Sequence, residues 1–310
     1  MKVVYGPLAG FEIDPVLGKT ADPMWNMGFS DYEESASDCY LFMCQAYDQT
    51  RSGEYDDKKK IFLTFEEPNF CIDEDGEHVK IVDSVDEILT ICPYTADTCD
   101  KRTEVILTFN QNLIPKDTDK IWDVIYSGSV PGTNSEPFYG PWPSYMNVMT
   151  NYNYRYINWD SGTNRACTYQ EKLDLYSQSK IALLHNIVNV LYPQPERIEM
   201  HKKFPNSEHN KAFDLMEQTW FMPQIKTITF EAAFSKCVML CSRDPWNIIE
   251  RYFEPEVDFL YFDTAEELND LIQDILAHYD DYEHLTESAY NRAVNNYTTH
   301  HFIEKYIGFK

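Results

Sequence analysis

In the segment from Pro223 to Phe262, PQIKTITFEAAFSKCVMLCSRDPWNIIERYFEPEVDFLYF, one lysine and one glutamate flank a predicted helix start that leads into a buried strand. The N–H groups near Thr227 to Thr229 would be the unsatisfied donors of that helix. With the positive end of its dipole they attract phosphate. Lys226 adds a mobile positive charge beside them. Glu231, about one turn further on, has the chemistry to accept two hydrogen bonds from the vicinal hydroxyls of a ribose, which an amide does not. The layout suits a nucleoside diphosphate. Taken alone, Lys226 and Glu231 fit a solvated surface helix equally well.

The elements that would hold these residues follow from periodicity and caps. The second half of the chain alternates strand and helix: a strand at Trp122 to Tyr126, a helix at Trp142 to Met149, a strand at Tyr154 to Trp159 and a helix from Tyr169, opened by a Thr168/Glu171 capping box. Ile181 to Leu184 and Val238 to Cys241 are continuous apolar runs of the fully buried kind. Asp263 and Glu266 are expected to cap a helix whose Leu268, Leu271, Ile272, Ile275 and Leu276 repeat at three and four residues. Such alternation predicts a parallel sheet covered on both faces, with ligands beyond the carboxyl ends of its strands. The first half offers strands at Lys2 to Tyr5, Cys39 to Cys44, Lys60 to Phe65, Glu87 to Cys92 and Glu104 to Phe109, separated by acidic, weakly patterned stretches. The run IPKDTDK interrupts the apolar segments and marks a domain boundary near Pro115 to Lys120.

These residues, with the helix opening at Asp263 and the closing NYTTHHFIEKYI, resemble the C-terminal domain of two-domain glycosyltransferases of the GT-B fold, nearest to the group-1-like and spore-maturation-type families. The resemblance implies an α/β chain of two Rossmann-like domains with a cleft between them. Residues 1–118 would form the acceptor-side domain, 119–297 the nucleotide-sugar domain, and 298–310 a C-terminal helix packing back on the first. It also implies the activity of a hexosyl- or pentosyltransferase, moving a sugar from a UDP- or GDP-linked donor to a glycan or other hydroxyl acceptor without a bound metal. In those families the helix start holds the diphosphate and a glutamate at the position of Glu231 holds the ribose. Many group-1 enzymes carry a second glutamate where this chain has Met239, so only the ribose role carries over.

Within that reading, Ser127, Gly128 and Ser129 follow a strand directly, where glycine lets the backbone approach a phosphate or sugar. Asn186, closing the LLHN strand, would meet the base or ribose. Arg243 would contact the donor, or else pair with Asp244 in a turn. Lys226 and the donors at Thr227 and Thr229 would stabilise the departing diphosphate. The base that takes the acceptor proton would come from the first domain: Glu67 or Glu66 at the proline-marked turn of IFLTFEEPNF, with Asp22 as the rival. The competing class is a non-catalytic two-domain nucleotide- or glycan-binding protein of the same architecture, since fold does not fix activity. A carboxylate facing the Lys226 helix would favour the enzyme, and an apolar or plugged cleft the binder.

Composition narrows the partners. A formal charge of −25 and a pI near 4.6 repel nucleic acid and anionic lipid at long range. Eight cysteines, Cys39, Cys44, Cys71, Cys92, Cys99, Cys167, Cys237 and Cys241, form no C-x-x-C pair. They read as reduced thiols in a cytoplasmic protein with no signal peptide and no transmembrane span. Metal sites are not expected. The D-x-D matches Asp73-Glu74-Asp75 and Asp117-Thr118-Asp119 arise by chance among 51 acidic residues, and the adjacent His300 and His301 are not spaced for one helical face.

Overall fold

The computed structural model describes residues 1–5, 27–43, 46–64, 83–91, 101–128, 142–157, 169–189 and 221–310. The chain divides into two compact units. One takes in Met1–Asn110, Val190–Gln224 and Thr299–Lys310, the other Gln111–Asn189 and Ile225–Thr298.

The first unit is built on a parallel sheet of β1 (Lys2–Tyr5), β2 (Cys39–Met43), β3 (Lys59–Thr64), β4 (Glu87–Thr90) and β5 (Arg102–Glu104), lying side by side in chain order. All five residues of β2 are buried, as a parallel strand covered on both faces requires. The last strand lies earlier than its apolar alternation suggests. Pairing with β4 ends soon after Glu104, and the following backbone turns to the C-terminal segment. The Tyr306 hydroxyl accepts from Ile106 N–H at 3.3 Å, the Phe109 carbonyl accepts from Thr299 N–H at 2.9 Å, and the Thr108 and Thr299 hydroxyls meet at 3.2 Å. Burial of Val105, Leu107 and Phe109 thus reflects packing against that segment rather than a longer strand. Gly308, at φ +86, lets the segment close onto Ser37. Its carbonyl accepts from Ser37 N–H at 2.8 Å, and an added Cβ would stand 3.0 Å from Ser37 Oγ.

The second unit carries β6 (Trp122–Ser127), β7 (Tyr154–Ile157), β8 (Ser179–Leu184), β11 (Val238–Ser242) and β12 (Phe259–Phe262). Two short strands, β9 (Ile187–Asn189) and β10 (Phe221–Pro223), lie outside both five-stranded sheets. The sheet order is β12-β11-β8-β6-β7, every neighbour parallel. The chain first moves from β6 outward to β7, then returns to the other side of β6 to lay down β8, β11 and β12. That reversal, between β6 and β8, is where α/β sheets open a ligand crevice at the carboxyl ends of their strands. The helices are Trp142–Met149, Tyr169–Ser177, Thr227–Phe234, Ala265–Ala277 and Glu283–Asn296. The Ala265 helix starts one residue later than Asp263 and Glu266 suggest. Thr264 is its N-cap, accepting from Glu267 N–H at 3.1 Å, while Glu267 reaches back to Asp263 N–H at 2.7 Å. The hydroxyl and the longer carboxylate form the reciprocal box. None of the helices among the described residues is long and apolar enough to cross a membrane.

Candidate nucleotide site

The carboxyl ends of β6 and β8 and the start of the Thr227–Phe234 helix come together at the sheet reversal. The Asn186 side chain links the last two. It is fully buried, and its amide oxygen accepts from Lys226 N–H at 2.8 Å and from the Thr229 hydroxyl at 3.1 Å. Lys226 is the N-cap residue and supplies no side-chain cap of its own, so Asn186 supplies an equivalent bond from a neighbouring strand. As placed, Asn186 positions the helix start rather than facing open space for a base or ribose: its side chain is fully buried, its oxygen is engaged twice and its amide nitrogen donates to Cys241 Sγ at 3.7 Å. Thr229 N–H donates to Lys226 O at 3.1 Å. The N–H groups of Thr227 and Ile228 then stand, by position, as helix-start donors without an intrahelical acceptor.

Lys226 is half-buried, and burial pushes its ammonium down to about 8. Behind it lies His185, which burial, reinforced by the Lys226 charge, pushes down to about 3. A neutral ring fits the bonding around it. The Ile187 carbonyl can only accept, so Nδ1–H donates to it at 3.1 Å, and Nε2 receives the Tyr126 hydroxyl at 3.0 Å. Tyr126 stacks on Trp142 at 5.2 Å and Tyr156 at 5.8 Å, and the Trp142 and His185 rings meet at 4.8 Å. These rings form an aromatic floor under the β6 and β8 ends. Gly128, at φ +127, closes β6, with its N–H bound to Ile157 O at 2.8 Å. Ser127 is buried beside it.

Glu231 is not part of this surface. Its side chain is fully buried and meets Lys172 Nζ, itself nearly buried, at 2.7 Å. Burial and the adjacent Glu231 charge push the Tyr169 and Tyr176 phenols well up. Neither solvated surface charge nor open ribose ligand describes it, because the helix turns that face inward onto the Tyr169–Ser177 helix. Arg243, half-exposed at the end of β11, pairs with Asp263 at 3.2 Å and lies 4.0 Å over the Tyr261 ring, so its partner is Asp263 rather than Asp244. Asp244 instead turns inward and accepts from Trp246 N–H at 2.9 Å. Burial raises its carboxyl to about 6 against the pull of the Trp246, Asn247 and Ile248 amides.

Ser129, Glu66, Glu67 and Asp22 lie outside the described residues, as do Asp73 to Asp75. Asp117 pairs with Lys236 at 3.4 Å, and no cluster able to hold a metal ion occurs among the described residues. Cys39, Cys237 and Cys241 are free and buried. Sequence reasoning missed Lys172 as the partner of Glu231, although a lysine facing into an apolar helix stripe was the available signal. The Tyr126–His185 bond, between residues far apart in the chain, left none.

The family described as glycosyl transferase-like matches residues 136–308, more than half of the chain, taking in β7, β8, β11, β12 and the Lys226 helix start and beginning after β6. The chain belongs to the glycosyl transferase-like family. Among solved structures, HepE from Anabaena in complex with UDP is similar at a TM-score of 0.51 and 8% identity, over 86% of this chain and 76% of that one. Sucrose-phosphate synthase from Thermosynechococcus elongatus follows at 0.49 and 8%, over 86% and 71%. TarM, from S. aureus, gives 0.47 and 10%, over 91% of this chain but only 57% of TarM. No curated protein matches this chain. At such identities the likeness to HepE speaks for the fold alone, and the fold of this family member is the two-domain GT-B architecture.

Proposed function

We propose that this chain transfers a hexosyl or pentosyl group from a nucleoside diphosphate sugar, UDP- or GDP-linked, to a hydroxyl of a glycan or glycoconjugate, with no metal required. The observation that carries the reading is the helix start at Lys226, tied by Asn186 to the sheet reversal. There a half-buried ammonium and the Thr227 and Ile228 N–H groups stand together. A diphosphate seated on them would gain charge-assisted hydrogen bonds in a partly desolvated setting. As the glycosidic bond to the nucleotide breaks, negative charge grows on the leaving phosphate, and the same groups stabilise it without having to reorganise. Neutral His185 supports this by adding no second charge behind Lys226. The Gly128 turn, next to Ser127, is the candidate approach for phosphate or sugar, with Ser129 proposed from its place in the sequence alone, and Arg243 is the candidate for the sugar side. HepE in complex with UDP is an instance of such a ligand in this fold.

In this reading Glu231 anchors the helix through Lys172 rather than holding the ribose. We assign the acceptor base to one of Glu67, Glu66 and Asp22, which single substitutions to the amide would resolve. A cytoplasmic setting accords with the free cysteines. The testing experiment is a thermal-shift and calorimetric screen of UDP, GDP, ADP and CMP with their sugar conjugates, in EDTA and in magnesium. Stabilisation by one nucleotide, indifferent to EDTA and lost in Lys226→Ala, is the expected result. Silence toward all of them overturns the donor reading.

A further inference from the structure

At the opposite end of the same sheet the second unit holds a cavity of about 250 Å³. Its walls come from the residues that lead into β6, β8 and β11, namely Thr118 and Lys120, Ser177, and Ser235 with Lys236, closed by Tyr279 and Glu287. These lie at the amino ends of strands whose carboxyl ends carry Ser127 and Asn186. The six residues of β8 separate the two ends by about 20 Å at roughly 3.3 Å per residue.

The cavity is polar but electrically balanced. Lys116, Lys120 and Lys236 face Asp117, Glu283 and Glu287. Lys236 Nζ is held by Glu287 at 2.8 Å and Asp117 at 3.4 Å. Lys120 Nζ donates to Ser235 O at 2.8 Å, and burial lowers its pKa. A phosphate or a metal ion would find the matching charges already neutralised. An apolar ligand would cover these charges without replacing the water that solvates them, whereas a neutral polar ligand keeps donors and acceptors against both signs of charge. Tyr279, its phenol kept protonated because burial pushes its pKa up, adds a donor on an aromatic wall. At about 30 Å³ per water the space holds roughly eight waters, the bulk of one pyranose ring and less than a nucleotide.

We propose that this cavity is a second carbohydrate site, separate from the nucleotide site, taking one neutral monosaccharide unit. Sugar hydroxyls donate to the Glu283 and Glu287 carboxylates and accept from the lysines and the Tyr279 hydroxyl. Such a site anchors a glycan chain by a unit remote from the reacting one.

The test is ligand-observed NMR and calorimetry on the full chain with methyl glucoside, methyl galactoside and methyl N-acetylglucosaminide, with and without saturating UDP. The proposal expects one glycoside to bind in both conditions and in Lys226→Ala. It expects at least about tenfold weaker binding in Glu283→Gln and in Glu287→Gln. Glu287 is half-exposed, so Glu287→Gln should keep the native Tm and decides the matter alone if Glu283→Gln fails to fold. Absence of glycoside binding overturns the proposal. So does binding that survives Glu287→Gln or is lost in Lys226→Ala, and so does tighter binding of acetate, phosphate or a free amino acid. The readout is sugar binding itself, so failure here leaves the transferase reading intact, and failure of nucleotide binding leaves this site intact.

Discussion

Replacing Glu231 by alanine separates two roles for the same carboxylate. Its side chain is fully buried, and Lys172, 2.7 Å away, is almost as deeply placed. Removing one member of a buried pair leaves the other as an uncompensated charge, at a cost of about 3–5 kcal/mol. In a domain of this size each kcal/mol moves the midpoint by roughly 2–4 °C, so Glu231→Ala should lower the Tm of the second unit by about 6–20 °C. The complementary substitution Lys172→Met should be harmful alone. The double variant Lys172→Met with Glu231→Leu should recover most or all of the loss, because two apolar side chains of similar volume replace both charges. Scanning calorimetry, with both units followed separately, measures the shift, and titration with the nucleotide found in the screen measures affinity. A ribose ligand predicts the reverse pattern: an unchanged midpoint, nucleotide affinity weakened by about tenfold or more, and no rescue in the double variant. That pattern would refute the anchoring argument.

Nucleotide affinity should fall as pH rises through about 8, where Lys226 loses its proton. Lys226→Arg, charged throughout, should flatten that profile in calorimetric titrations. Asp244 has a folded-state pKa of about 6 against an ordinary 3.8, so between those values the folded chain holds a proton that the unfolded chain has released. Its contribution is present in full below pH 4 and lost as pH rises through 6. Relative to Asp244→Asn, the wild type should lose about 3 kcal/mol over that window in urea unfolding, and parallel curves would count against it. Asn186→Ala, which removes the acceptor of the part-buried Lys226 N–H and of the buried Thr229 hydroxyl, should cost about 1–3 kcal/mol and weaken nucleotide binding together with stability. A loss of binding at native Tm would return Asn186 to direct ligand contact.

Much of the second unit was legible because its elements carry local signals. IALL and VMLC are too short and too uniformly apolar for exposed helices, the Trp142–Met149 helix lies where its pattern predicts, and the glycine after Tyr126 and Ser127 marks the strand end. The strand at Phe259–Phe262 has the same signature, a continuous FLYF run before Asp263, masked by the aromatics around it. In the first unit, alternation over Val105 to Phe109 imitates a strand because one face of an irregular segment is covered by the chain's own C-terminus. Periodicity reports burial, and it does not say whether a ladder or a distant segment provides the cover.

The sequence by itself determined the residue types at the helix start: a lysine directly before Thr-Ile-Thr puts a cation beside backbone donors and the positive end of a helix dipole, the chemistry an anion would meet there. Tertiary structure alone decided which side chains reach that site. Asn186 and Lys226 are 40 residues apart, and the strand order that sets β8 beside β11, the strand into which the helix leads, brings the amide to the helix start. Glu231 shares that helix, yet the rotation of the helix on the sheet carries it to the buried face and to Lys172. Residue type sets what a group can bind, whereas burial and partners, which depend on contacts between distant segments, set what it is free to bind.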